Sequence, residues 1–456
     1  MTCESSNHIT DKNLKEQIIK EKRRDHKGLT RTEGASVAQS IFDAPRVSTF
    51  GGYSNGRLTL VPLIVIGAGI SGLTVAASLE CDFLVLEARD RIGGRVWSRD
   101  CGSCTLDMGA AWIHGTADNP LNHYLKYDEM IPVAESNPWI HTGNARILYQ
   151  GISDEDRQQM IISWNRAAKE IAEMDCETIA EAIKHVKDSS TSNIQTFLYL
   201  LEVWCGTSVS SMPPSFLRNI ECDDSLFGDY AGSHCLFKKG TKSLITSIVE
   251  QSKQDLDGRI LFEQVVTDIL YDRDDGCIEI KTRDPNVSYL CEKLVITTPP
   301  GPLQDINFVP PLSASRKCAL SKVKMGSYKK VQIEFDHVFW DTDAAMILTN
   351  KNMDVCKNGY SECKTEGFGC NPACASGVIR CKNDVYKTEG FMCENDVFIP
   401  HILWNNYACL KGAPILEAVC PANIGWQMTG KSDEEIADAV LEHLRGMCPW
   451  MPDPIS

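Results

Sequence analysis

A chain of 456 residues, 43% hydrophobic and 23% charged, has the composition of a globular protein and exceeds the usual length of one domain, so two structural units are expected. No apolar run reaches the roughly 18 residues that would span a bilayer, which excludes an integral membrane protein. A formal charge of −15 argues against broad contact with nucleic-acid phosphates. It is compatible with attracting cations, although acidity for solubility alone accounts for it more simply.

The N-terminus, MTCESSNHITDKNLKEQIIKEKRRDHKG, carries charges where a secretory signal needs an apolar stretch, so an intracellular, cytoplasmic protein with reduced thiols is expected despite its 20 cysteines. Residues 1–56 are polar, with few apolar anchors, and read as a disordered arm. Order is expected from Leu58. LVPLIVIGAG is a buried strand, GISGLTVAASL a buried helix and FLVLEA a second strand. From Ser153 to Thr207 three amphipathic helices follow, DEDRQQMIISWNRAAKEIAEM, ETIAEAIKHVK and SNIQTFLYLLEVW. GRILFEQVVTDILYD, CIEIKTR and EKLVITTPP return to short strands. In YKKVQIEFDHVFW strict alternation places Lys330, Gln332 and Glu334 on one strand face and Val331, Ile333 and Phe335 on the other. Residues 352–397 form an excursion with six cysteines, Cys356, Cys363, Cys370, Cys374, Cys381 and Cys393. They include no CxxC pair and no histidine, so no metal site is assigned. VFIPHILWNNYA and APILEAV read as strands, and a last helix is capped by Ser432 with Glu435, with Gly446 following its end.

The chemistry-bearing feature is VIGAGISG. Gly67 permits the tight turn out of the strand, Gly69 lets backbone approach a pyrophosphate, and Gly72 lets helix and strand pack closely. The helix N-terminus, with Ala68 and Ser71 beside these glycines, offers amides to phosphate. Twenty residues beyond Gly67, Glu87 ends the second strand, where it can accept both ribose hydroxyls. A second pair, Gly93 and Gly94, follows in EARDRIGGRVWS after Ala88 and Arg89, and Arg95 can neutralise pyrophosphate charge.

VIGAGISGL, LEARDRIGGRVWS and LDMGAAWIHG together resemble the flavin-containing amine oxidases, particularly the polyamine and spermine oxidase branch. The resemblance runs from Leu58 to about Pro454. It implies FAD as cofactor, and an α/β fold in which a Rossmann-like FAD-binding domain is interleaved with an α+β substrate domain, a mixed sheet flanked by helices. Residues 57–120 and 226–310 would form the FAD-binding parts, 121–225 the helical substrate region, and 311–456 the substrate domain with its cysteine-rich insertion. The partners implied are a small-molecule amine and O2, with no nucleic acid and no membrane; oligomeric state is left open. The implied reaction is oxidation of a polyamine or related secondary amine by hydride transfer to flavin N5.

The same resemblance places a lysine near flavin N5 at Lys330, with Tyr328 as a substrate-facing aromatic. The alternation alone favours a solvent-facing lysine, and Lys329 leaves the register open by one. His114 in GAAWIHG matches a histidine near the substrate amine, although a structural histidine would look alike. Gly109 and Ala110 would lie against the flavin ring, Val266 would pair with adenine, and Pro299 belongs to a turn near the cofactor, where Pro300 and Pro302 depart from the usual pattern. Glu221, Asp223 and Asp224 could attract distal ammonium groups or form a solvated loop. The family's closing segment, approximately FAGE, is absent before Ser456. A truncated, catalytically silent FAD scaffold is therefore an alternative, as is a histone demethylase-like oxidase.

Overall fold

A computed structural model of the chain describes residues 60–117, 119–124, 130–133, 145–147, 154–186, 192–219, 234–340, 342, 345–350, 401–447 and 451–455. The N-terminal arm, the cysteine-rich excursion and Glu221, Asp223 and Asp224 lie outside the described residues.

In chain order, β1 (Leu60–Ile66), α1 (Ile70–Ser78) and β2 (Phe83–Leu86) lead into the hairpin of β3 (Ser98–Cys101) and β4 (Cys104–Asp107). Short strands β5 (Met130–Val133) and β6 (Ala145–Ile147) precede three helices, α2 (Asp154–Ala172), α3 (Ile179–Ala182) and α4 (Ser192–Cys205). Then come β7 (His234–Phe237), α5 (Lys242–Glu250), β8 (Ile260–Leu261), β9 (Val266–Leu270), β10 (Ile278–Thr282) and β11 (Ser288–Ile296). A short helix α6 (Pro300–Gln304), β12 (Asn307–Val309) and α7 (Ala314–Lys322) connect to β13 (Tyr328–Glu334). The described chain closes with β14 (Met346–Asn350), β15 (His401–Asn406), α8 (Tyr407–Lys411), β16 (Ile415–Pro421), α9 (Ala422–Gln427) and α10 (Asp433–Met447).

These elements build a mixed α/β molecule around two sheets. The first has strand order β12-β9-β10-β11-β1-β2-β8. Its β11, β1, β2 and β8 run parallel, and β9, β10 and β11 form an antiparallel meander. Helix α1 supplies the crossover between β1 and β2, which is why the apolar run LIVI is buried on both faces. Leu73, Ala76 and Ala77 of α1 pack with Leu244, Ile245 and Ile248 of α5 over Val65 and Val85.

The second sheet has order β13-β16-β15-β14-β6. Ile333, Leu416, Ala418 and Trp404 join Trp164 and Ile171 of α2, Phe197 and Leu201 of α4, and Val440 and Leu444 of α10 in the largest core cluster. The pairing Lys330↔Val419 and Gln332↔Glu417 puts a lysine, a glutamine and a glutamate on the opposite face, as the alternation predicts for Lys330 and Gln332. That face meets the β3–β4 hairpin.

Three expected elements differ in extent. ETIAEAIKHVK makes only the short α3 and a 3-10 turn over Ile183–His185. In VFIPHILWNNYA the strand stops at Asn406, whose side chain caps α8 by accepting from the amides of Ala408 and Cys409. The last helix continues through Gly446 to Met447. A glycine interrupts a helix at a cost of only about 1 kcal/mol, which packing of Leu441 and Leu444 offsets.

Candidate active site

The carboxyl ends of β1, β2 and β11 bring the glycine turn, Glu87 and the segment Thr297–Pro299 together. Gly67 has φ +101°, and a Cβ on Gly72 would stand 1.8 Å from the Gly67 carbonyl oxygen, so the turn closes only around glycine. Thr297 ties it down, its hydroxyl donating to the Ile66 carbonyl at 2.7 Å. No side chain caps α1 at Gly69 and no acidic residue stands in its first turn, so the positive end of the helix dipole is not offset there by a capping side chain or an acidic residue of the first turn. Glu87 is buried and accepts from the amides of Ala68 at 2.7 Å and Arg89 at 2.9 Å. Gln264, just before Val266 at the start of β9, donates its amide to the Glu87 carbonyl at 2.8 Å. Ser71 and Ala88 are exposed, and Pro299 caps the short α6.

The second glycine turn lies against the first. Gly69 and Gly93 form a backbone bridge, and the Gly93 amide donates to the Ala68 carbonyl at 2.8 Å. A Cβ on Gly94 would come within 3.2 Å of the Gly69 Cα. Arg89 and Arg91 both donate to the Gly94 carbonyl, at 3.2 and 3.0 Å. Burial first, and the charge of Arg89 second, lower the Arg91 guanidinium from its ordinary value, while Glu87 and Asp90 act against the shift. Arg95 is exposed; its carbonyl accepts from the Ala110 amide at 3.1 Å, while its guanidinium makes no hydrogen bond or ion pair to another described residue. Thr298 Oγ1 is buried without a partner among the described residues.

From Arg95 the chain runs through the hairpin to Asp107, whose Oδ1 accepts from the amide and hydroxyl of Thr241, both at 2.7 Å, and from Ser98 at 2.6 Å. Thr241 also donates to the Ala110 carbonyl at 3.0 Å. Gly109 is pressed against this frame, a Cβ there falling 1.9 Å from the Arg95 carbonyl oxygen. The Gly109–Ala110 turn is thereby fixed between the two sheets, with Ala110 exposed.

Lys330 is not a solvent-facing lysine. Its side chain is 9% exposed, and its ammonium donates to the Asp107 carbonyl at 3.1 Å and lies 3.4 Å from Glu417 Oε1. Two positions earlier on the same strand face, Tyr328 is 48% exposed. Yet burial, with Glu417 adding to it, holds its phenol well above the ordinary value. Gly206 packs against the Tyr328 ring, and the Ser327 amide donates to the Gly206 carbonyl at 2.9 Å. Two residues before Gly206, Trp204 sits 5.1 Å from the ring of His114, which also stacks with Trp112 at 6.4 Å. His114, Trp204 and Tyr328 therefore come from three distant segments to one neighbourhood.

The sequence reading had not singled out Asp107, Trp204, Thr241 or Glu417. Glu417 had left one trace, a single charge inside the apolar run ILEAVC. Among the described residues no helix is long and apolar enough to cross a membrane, and no group of three His, Cys, Asp or Glu residues could hold a metal ion.

Known proteins share this chain's sequence along much of its length. It is 24% identical over 420 residues to the probable polyamine oxidase 4 of Arabidopsis thaliana, covering 86% of this chain and 72% of that protein. Over 430 residues it is 28% identical to polyamine oxidase 5 of Oryza sativa subsp. japonica, with 86% and 73% covered. Over 377 residues it is 26% identical to the human peroxisomal N(1)-acetyl-spermine/spermidine oxidase, with 70% and 71% covered. The sequence model of the flavin containing amine oxidoreductases matches residues 70–456, and with that match the chain belongs to the flavin-containing amine oxidase family, related to the polyamine and spermine oxidases.

Proposed function

We propose that the chain binds FAD across the carboxyl ends of β1, β2 and β11 and oxidises a polyamine or related secondary amine to an imine, which water converts to an aldehyde. On this reading residues 57–120 and 226–310 build a Rossmann-like FAD-binding unit, and 121–225 with 311–456 build the substrate unit. The observation that carries the reading is the meeting of Gly69 with Gly94 where an uncapped helix, Glu87 and the unpaired Arg95 converge.

The residues present fit the cofactor. Uncapped amides of α1 and the free guanidinium of Arg95 would take the pyrophosphate, and Glu87 keeps carboxylate lone pairs for ribose hydroxyls beyond those given to Ala68 and Arg89. Val266 would offer backbone to adenine, Pro299 would border the cofactor, and the unpartnered Thr298 hydroxyl supplies a further polar contact. Gly109 and Ala110 present a surface without bulk, which a flat ring requires. Bound FAD would supply the hydride acceptor, with O2 as final oxidant and hydrogen peroxide as co-product.

The chain's own residues prepare the substrate. An amine gives up hydride from the adjacent carbon only as the neutral base, because an ammonium has no lone pair to stabilise the developing cation. His114, in ring contact with Trp112 and Trp204, would take that proton. Tyr328 and Trp204 offer π faces that attract the alkylammonium as it enters and keep water from the reacting carbon. Lys330 holds a fixed position between Asp107 and Glu417 and would order the water that attacks the imine.

Purified chain supplied with FAD and then with spermine or an acetylated spermidine is expected to bleach the flavin absorbance anaerobically and to release peroxide in air. Stable FAD with no bleaching by any amine would leave the silent scaffold as the reading.

A further inference from the structure

Glu417 stands in the middle of β16 with its side chain 0% exposed. Burying a carboxylate is costly unless both its charge and its lone pairs are matched. Here the lone pairs are matched on both oxygens. Oε1 accepts from Asn405 Nδ2 at 2.7 Å and faces Lys330 Nζ at 3.4 Å, and Oε2 accepts from Gln332 Nε2 at 2.6 Å and from the Tyr407 hydroxyl at 3.3 Å. Burial, and next the charge of Glu417, push the Tyr407 phenol far above its ordinary value, so Tyr407 remains a donor. Lys330 is the cation in direct contact.

The consequence reaches beyond the pair. Lys330 and Gln332, both held by Glu417, donate to the same Asp107 carbonyl at 3.1 and 3.3 Å. Asp107 is followed at once by the Gly109–Ala110 turn, and its carboxylate grips Thr241, which in turn holds Ala110. A continuous chain of hydrogen bonds therefore runs from the centre of the second sheet to the turn proposed to lie against the flavin. Long lysine side chains are ordinarily mobile, and an ammonium aimed at one carbonyl needs a fixed counter-charge.

We infer that Glu417 is the positioning residue of the site: by pairing with Lys330 and Gln332 it fixes the ammonium against the Asp107 carbonyl and sets the Gly109–Ala110 turn. The inference rests on the reading that Lys330 and that turn serve amine oxidation, and the test separates the two. The full chain would be prepared as wild type, Glu417→Gln and Glu417→Asp, and treated with acetic anhydride, acylation of Lys330 being measured by mass spectrometry with Lys329 in the same strand as internal reference. Without its counter-charge the ammonium leaves its place beside the Asp107 carbonyl more readily, so Lys330 in Glu417→Gln is expected to acylate about tenfold faster, with Lys329 unchanged. Glu417→Asp, which restores the charge, should recover most of the protection.

In the same preparations loaded with FAD, flavin bleaching by spermine should slow about tenfold to a hundredfold in Glu417→Gln with KM little changed, because the loss is one of orientation. Folded Glu417→Gln with Lys330 acylation as in wild type would overturn the inference. Wild type that bleaches with no amine would overturn the amine-oxidation reading alone, and the acylation arm would still decide the pairing. Should Glu417→Gln fail to fold, the double variant Lys330→Met/Glu417→Gln removes both charges and is expected to recover the fold; if it does not, the pairing is refuted.

Discussion

The two sheets face the site with different materials. The seven-stranded sheet presents backbone: carbonyls and amides of two glycine turns, with side chains excluded where a Cβ on Gly72 or Gly93 would collide with a carbonyl oxygen. The five-stranded sheet presents buried charge, Lys330 and Glu417 with Gln332, Asn405 and Tyr407 around them. A backbone surface tolerates no added atom but carries no net charge to be balanced. A charged surface tolerates conservative exchange but fails when one partner is removed alone. Each half is therefore fragile in its own way, the first to added bulk and the second to the loss of a single charge.

The largest effect is expected at Gly72. A valine there must displace the Gly67 carbonyl from 1.8 Å, which separates α1 from β1 and opens the turn. Destabilisation of about 4 kcal/mol or more is expected, with complete loss of bound flavin, measured by chemical denaturation and by the absorbance of the purified protein. A folded Gly72→Val chain that retains FAD would show that backbone fit is not what this half relies on.

Next comes Lys330→Met, which leaves Glu417 charged and buried without a cation in contact. Removing one partner of a buried pair costs about 3–5 kcal/mol, far more than the pair contributes relative to a well-packed apolar substitute. A denaturation midpoint unchanged from wild type would mean that the contact between Lys330 and Glu417 does not support the fold.

These two halves were unequally readable in the sequence for a physical reason. Gly67, Gly69, Gly72 and Glu87 lie within one strand–helix–strand unit, and steric demands on a tight turn are written in consecutive residues. Ala68 and Glu87, joined by a hydrogen bond, are 19 residues apart. In contrast, Gln332 and Glu417 are 85 residues apart, Asp107 and Thr241 are 134, and Lys330 and Asp107 are 223. A charge network of that reach depends on how strands are ordered in a sheet, and β16 inserts between β13 and β15 without any local signal. Alternation in YKKVQIEF gave the face on which Lys330 lies, but not what it would meet there. Trp204 was hidden differently: it belongs to an amphipathic helix in which an aromatic reads as core, and the packing of Gly206 against Tyr328 brings its end to the strand that carries Lys330.

A third effect sharpens the comparison through pH. Burial raises the thiols of Cys235 and Cys291 from 9.0 to about 11 and that of Cys420 to about 12, and raises the phenol of Tyr289 from 10.0 to about 12. Below pH 9 these groups are protonated in folded and unfolded chains alike, so their contribution is fully present. Above it the unfolded chain releases protons that the folded chain still holds, and stability falls as pH rises towards 11 and 12, each group adding a slope of up to about 1.4 kcal/mol per pH unit. Cys291 belongs to the first sheet and Cys420 to the second. Replacing each with alanine should flatten the alkaline limb of a denaturation series, and a limb insensitive to both would place the loss elsewhere.

The smallest effect serves as the control, because it lies outside both surfaces. Ser432 and Glu435 close the N-terminus of α10 reciprocally: the Ser432 amide and hydroxyl donate to Glu435 at 2.7 and 2.9 Å, and the Glu435 amide donates to the Ser432 hydroxyl at 3.2 Å. The backbone contact with Ser432 first, and its hydroxyl second, hold the Glu435 carboxyl below its ordinary value, so the box weakens as pH falls through the acid range. Ser432→Ala removes an acceptor from an exposed helix end and should cost about 1 kcal/mol by thermal or chemical denaturation. Helix α10 packs beneath the second sheet, where Val440 and Leu444 share a core with Ile333 and Ala418, on the face opposite Lys330 and Glu417. If stability falls by that amount while flavin content, bleaching rate and Lys330 acylation stay as in wild type, then effects at Glu417 cannot be ascribed to general loosening of this sheet. If Ser432→Ala changes Lys330 acylation as Glu417→Gln does, the charged surface would be responding to the stability of its support, and the distinction drawn between the two halves would fail.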